Sequence, residues 1–152
     1  MLTLRYVYLL ALIVWLGGMV VLGALVAPTT FAVLQASDPV GGRRLAGDVF
    51  GAVIARFHYV AYAAGTILLV TLGAMRLLGP KPAGGAVRAA LVAGMLGVAL
   101  YSGLVVGPAL DALLQNAASR VRFDELHQLS TRLMLLNLAG ALVLLYWEAR
   151  EK

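Results

Sequence analysis

The chain contains no cysteine. Disulfides, thiolate metal sites and cysteine nucleophiles are excluded together, while the redox compartment stays open. Charge is scarce: Asp, Glu, Lys and Arg make up 12% of 152 residues, against about a quarter in soluble domains. Only 2 histidines are present, so any imidazole-ligated group depends on His58 and His127. Nucleophile motifs are missing too. Asp124, His127 and Ser130 stand too close together on one helix to form an ordered relay, and nothing around Ser130 resembles a nucleophile turn. No catalytic residue is expected, and an enzyme is not the expected class. Gly103-x-x-x-Gly107 follows no strand and reads as close helix packing, with Gly17, Gly94 and Gly97, rather than as a phosphate cradle.

What the chain does have is apolar residues, 62% of the total, with a mean hydropathy of +0.92. That exceeds what a single buried core absorbs at this length, so the lipid bilayer is the expected partner and solvent. The net charge of +5 is scattered over the ends of apolar runs. With no basic stripe, it suits anionic headgroups and not nucleic acid. Four apolar runs, about 4–27, 53–78, 86–106 and 126–147, each reach the roughly 20 residues a helix needs to cross hydrocarbon. Backbone groups in lipid must pair internally, which makes these runs helices. The expected fold is all-α: an integral membrane four-helix bundle forming one domain over residues 1–152. "GPKPAGG" (79–85) is the expected turn between the second and third spans. The first span is too long, and Leu25 too bulky before Ala27-Pro28, for a cleaved signal peptide.

An internal repeat organises the spans. Residues 11–35 laid on 91–115, a constant offset of 80, match Leu16/Leu96, Gly17/Gly97, Gly23/Gly103, Val26/Val106, Pro28/Pro108 and Gln35/Gln115. His58 and His127 align more loosely. The chain therefore reads as two hairpins of parallel topology, related by an axis along the membrane normal. Both termini and the turn at 79–88 then share one side, and the loops 36–52 and 109–125 share the other. The termini side carries Arg5, Arg76, Lys81, Arg88, Arg150 and Lys152, against Arg43, Arg44, Arg120 and Arg122 opposite, which favours cytoplasmic termini. Carried past Pro28 and Pro108, spans one and three project beyond the membrane, and "RRLAGDVFGAVIARF" reads as an amphipathic stretch at the loop-side surface.

Polar residues inside spans carry the functional expectation, because they are costly in lipid. His127, Thr131 and Met134 fall on one helical face with Ser130 and Asn137 at its edge. His58, Tyr62 and Gly65 share another face; Tyr8, Trp15 and Met19 form a stripe; Tyr101 and Ser102 sit mid-span. A pocket between helices is expected from His127, Ser130, Thr131, Asn137, His58, Tyr62, Trp15 and Tyr101. It would bind or pass a small solute or metal ion. No cofactor is expected. Copper(I) held by His58, His127 and a Met thioether, or haem b between the two histidines, are alternatives. Purely structural hydrogen bonding, with glycine faces serving a homo-oligomer, is the competing reading. Arg132 either snorkels outward or pairs with an acid such as Asp111 or Glu125.

"RFDELHQLSTRLMLLNLAG", "WLGGMVVLGALVAP" and "GDVFGAVIARFHYV" resemble the bacterial membrane family called domain of unknown function 4149, itself similar to eukaryotic transmembrane protein 205. His127 and Ser130 fit the fourth-helix pattern, whereas Met134 stands where an Asn is expected and Asn137 follows. The resemblance implies a four-helix protein of the bacterial inner membrane with undefined activity, its eukaryotic relative being associated with drug and metal tolerance. "WLGG" also resembles the copper resistance protein D family and, more distantly, membrane protoporphyrinogen oxidases. Both place a His about two turns before the Trp, where this chain has Arg5, Tyr6 and Tyr8.

Overall fold

The computed structural model describes residues 2–78, 84–115 and 120–150. Helix follows helix: α1 (Leu2–Val21), a first π-helical segment (Leu22–Val26), α2 (Ala27–Ser37), α3 (Gly42–Leu78), α4 (Gly85–Tyr101), a second π-helical segment (Ser102–Val106), α5 (Gly107–Gln115) and α6 (Arg120–Arg150). Four of these rods are long and apolar enough to cross a membrane: Leu2–Ser37, Gly42–Leu78, Gly85–Leu113 and Arg122–Arg150. At 1.5 Å per residue, Leu2–Ser37 extends roughly 54 Å, well beyond the roughly 30 Å of hydrocarbon.

The helices pack as a ring, α1 on α3, α3 on α4, α4 on α6 and α6 on α1. Tyr8, Leu12, Leu68, Val92, Met95, Ala141 and Leu144 fill its centre. Glycine permits two of the closest approaches. A side chain at Gly18 would overlap the Phe57 ring, and one at Gly65 would come within 2.9 Å of Leu96 and 3.1 Å of Trp15. Gly17, Gly94 and Gly97, expected at helix contacts, meet nothing within 4 Å. They lie on the outside of the ring.

Helix α1 does not stop at Ala27, nor α4 at Val106. Each passes through its π segment and its proline. Pro28 and Pro108 lack the N–H that an α-helix needs at those positions, and a π turn just before absorbs the mismatch: Ala27 N–H donates to the Leu22 carbonyl, and Gly107 N–H to that of Ser102. Both sets stand 80 residues apart. The amphipathic "RRLAGDVFGAVIARF" is the opening of α3, continuous with its membrane span. Its small residues turn to α2: Ala46 is fully buried, and Gly42 abuts the Leu34 carbonyl so closely that no Cβ fits. The long loop expected over 36–52 thus reduces to a turn at 38–41. Most of the expected turn at 79–85 lies outside the described residues; Gly84 caps α4 at φ +67°, the left-handed region that favours glycine.

Asp38 makes the α2–α3 turn. Its Oδ1 accepts from the N–H groups of Val40 and Gly41, both at 3.0 Å. These bonds favour the ionised carboxylate and hold its pKa below the ordinary value. A depressed folded pKa contributes stability above the unfolded pKa that is lost as pH falls through the folded one. Amide exchange at Val40 and Gly41 should therefore be slower in the wild type than in Asp38→Ala at neutral pH. The two should converge in acid; an equal difference at all pH values would refute the capping role.

Candidate functional site

Ser130 and Asn137 are seven residues apart, two helical turns, and so lie on one stripe of α6 with Met134 between them. That stripe continues through Ala141 and Leu144, both fully buried, and faces the ring's interior. Opposite it stand Trp15 and Met19 of α1, Phe57 and His58 of α3, Ala99 of α4 and Ser102 of the second π segment. Together with Ile54, Ala61 and Leu133, these residues enclose a cavity of about 60 Å³. The four membrane-spanning rods all contribute.

The wall is largely apolar, so its few polar atoms set its chemistry. Asn137 is only 6% exposed, and its Oδ1 has no hydrogen-bond partner. Burying an unsatisfied amide oxygen costs about 1–3 kcal/mol. The Trp15 ring is fixed against Gly65 and is 1% exposed. His58 packs its ring against Gly103, where a Cβ would come within 2.8 Å, and its centroid lies 6.0 Å from that of Tyr62. Tyr62 reaches the same glycine with its hydroxyl but is not part of the cavity lining.

Besides Tyr62, three more expected pocket residues lie outside the lining. His127 is exposed and stacks on Phe123, with centroids 6.0 Å apart at 9°. Thr131 is exposed and donates to the His127 carbonyl at 3.0 Å. Tyr101 is 47% exposed, and its neighbour Ser102 takes the inward place. The reason on α6 is rotation. The inward stripe is set by 130, 137, 141 and 144; His127 lies about 60° and Thr131 about 100° off Ser130 at 100° per residue. His58 and His127 therefore do not meet in the cavity. Among the described residues no three His, Asp or Glu side chains cluster to hold a metal ion. Nor does "FDELHQLSTRL" cap α6, which starts earlier, at Arg120. Arg132 is exposed, the outward alternative.

Sequence reasoning missed a second polar cluster, at the termini end of the ring. Glu148, 8% exposed, accepts from Arg88 Nη1 at 2.5 Å and from Arg5 Nε at 3.2 Å. The Arg88 guanidinium also lies 5.8 Å from the centre of the Trp147 ring, a cation–π distance. One carboxylate thus joins α1, α4 and α6. The available signal was Glu148 itself, an acid among basic residues at the end of an apolar run.

Residues 10–119 match the family described as Domain of unknown function (DUF4149), a stretch covering more than half of the chain. The chain belongs to this family. No curated protein matches, and no solved structure matches. The match to DUF4149 includes Trp15, His58, Tyr62 and Ser102 and ends before α6. The DUF4149 assignment is thus carried by the first three rods, not by the α6 segment that holds Ser130 and Asn137.

Proposed function

We propose that this DUF4149 protein binds or passes a small polar solute through the cavity between its four membrane-spanning rods. The observation that carries this reading is Asn137: an unsatisfied amide oxygen buried in an apolar span, beside Ser102, Ser130 and His58. Such a group is costly in lipid and is retained where a ligand or water completes it. The site opens toward the loop side, a direction supported by the packing of α2 on α3 and α5 on α6, each extension within its own hairpin. Toward the termini, Leu12, Leu68, Val92 and Leu144 form a dry plug. The matching π segments at an offset of 80 support descent of the two hairpins from one ancestor. The excess of basic residues beside the termini supports a bacterial inner-membrane protein with cytoplasmic termini.

Absence of native cysteine makes the test direct. In proteoliposomes, Ser102→Cys and Ser130→Cys should react with a membrane-impermeant thiol reagent added on the loop side, while Leu144→Cys should not. Equal protection of all three positions would show a sealed, purely structural bundle.

Two other readings have observations of their own. The thioethers of Met19 and Met134 line the cavity with His58, a donor set suited to copper(I); elemental analysis of the extracted protein decides it. Haem b would need a second axial ligand to replace His127, and a cavity of about 60 Å³ has room for only about two waters. The outward Gly17, Gly94 and Gly97 favour a homo-oligomer with close helix contacts. A single species of one-chain mass in mild detergent would remove that reading.

A further inference from the structure

Resting on the reading of the cavity as a solute site, we infer that its ligand is a small monovalent cation of the alkali or ammonium class, held by uncharged oxygens of the second π segment and of α6. Within an α-helix the Gly103 carbonyl would accept from Gly107 N–H, but that N–H donates to Ser102. The next residue along is Pro108, which has no N–H. Gly103 is left without a helical donor at either spacing. Gly23 is left the same way, since Ala27 N–H donates to Leu22 and Pro28 follows. Gly103 follows Ser102 and lies against His58, and both of these line the cavity. Gly23, by contrast, is exposed and is not part of the lining.

The remaining inventory points the same way. Asn137 contributes its unpartnered Oδ1, and Ser102 and Ser130 contribute hydroxyl oxygens. Neutral amide, hydroxyl and freed carbonyl oxygens are the donors that hold monovalent ions at interrupted membrane helices. Among the described residues no carboxylate lines the cavity, so the strong field that a divalent ion draws from acidic ligands is missing there. His58 also lines the cavity, and an imidazole ring carries a nitrogen that can accept. Size agrees: about 60 Å³ accommodates an ion with a water, or an ammonium, given a share of about 30 Å³ per liquid water.

The test is thermal unfolding of the protein in lipid nanodiscs, in sodium, potassium, ammonium or N-methylglucamine chloride at equal ionic strength. One of the three small cations should raise the Tm saturably by several degrees over N-methylglucamine. The shift should vanish in Asn137→Leu and shrink at least tenfold in apparent affinity in Pro108→Ala, which restores a backbone N–H. Pro108→Ala keeps the test decisive if Asn137→Leu fails to fold. Equal Tm values in all four salts, or an apparent affinity unchanged in Pro108→Ala, would overturn the inference, as would stoichiometric copper in the extracted protein. Reactive Ser102→Cys and Ser130→Cys alongside such a null result would leave the solute cavity standing and remove the cation alone.

Discussion

Glu148→Ala is expected to destabilise the bundle by about 3–5 kcal/mol, the usual cost of removing one partner from a buried ion pair. The loss comes mainly from what is left behind. The Arg88 side chain is 3% exposed and would keep its charge among apolar helix ends with its carboxylate gone. Arg5 gives the internal contrast: its side chain is 43% exposed, so water screens its share of the pair, and Arg5→Ala should cost no more than about 1 kcal/mol. Replacing both members, Arg88→Met with Glu148→Leu, should recover most of the deficit, because the penalty lies in the orphaned charge. Reversible unfolding in mixed micelles measures all three. Equal losses for Glu148→Ala and Arg5→Ala would mean that the cluster is solvated and does not tie α1, α4 and α6 together.

Gly103→Val should destabilise by about 1–3 kcal/mol or more, as overpacking of a filled interior does, while Gly97→Val on the preceding turns should stay within about 0.5 kcal/mol. Both are glycines of the same rod. A Cβ at Gly103 would overlap the Tyr62 hydroxyl and come within 2.8–2.9 Å of the His58 ring, whereas one at Gly97 meets nothing within 4 Å. The substitution at Gly103 should also displace His58 from the cavity wall and alter labelling at Ser102→Cys. Unfolding free energies of the pair provide the check. Similar costs would imply that α4 is rotated from the position described, or that Gly97 faces a second copy.

The architecture was legible because length and hydrophobicity leave few choices: a run of 20 apolar residues in lipid can only be helical. The buried stripe Tyr8–Trp15–Met19 was legible for a similar reason, its spacing following the helical period. Helix α6 was harder. Its polar residues at 127, 130, 131 and 137 spread over more than one face, and only neighbouring helices decide which of them turns inward. The stripe chosen is Ser130–Met134–Asn137, so His127 and Thr131 face out. Where the rods end was equally hidden. Proline usually marks a boundary, yet at Pro28 and Pro108 a π turn carries the helix on. The Arg88–Glu148 pair joins residues 60 apart in sequence; read locally, each looks like an ordinary headgroup anchor, and only the closing of the ring brings them together.

A structure of the protein determined in a lipid bilayer, read at Asn137, tests the solute cavity most directly. The Asn137 carboxamide should lie inside the ring, level with Trp15 and Ser102, with non-protein density at its Oδ1. An α6 turned so that Asn137 faces acyl chains, or a side chain closed onto protein partners with no space beside it, would contradict it.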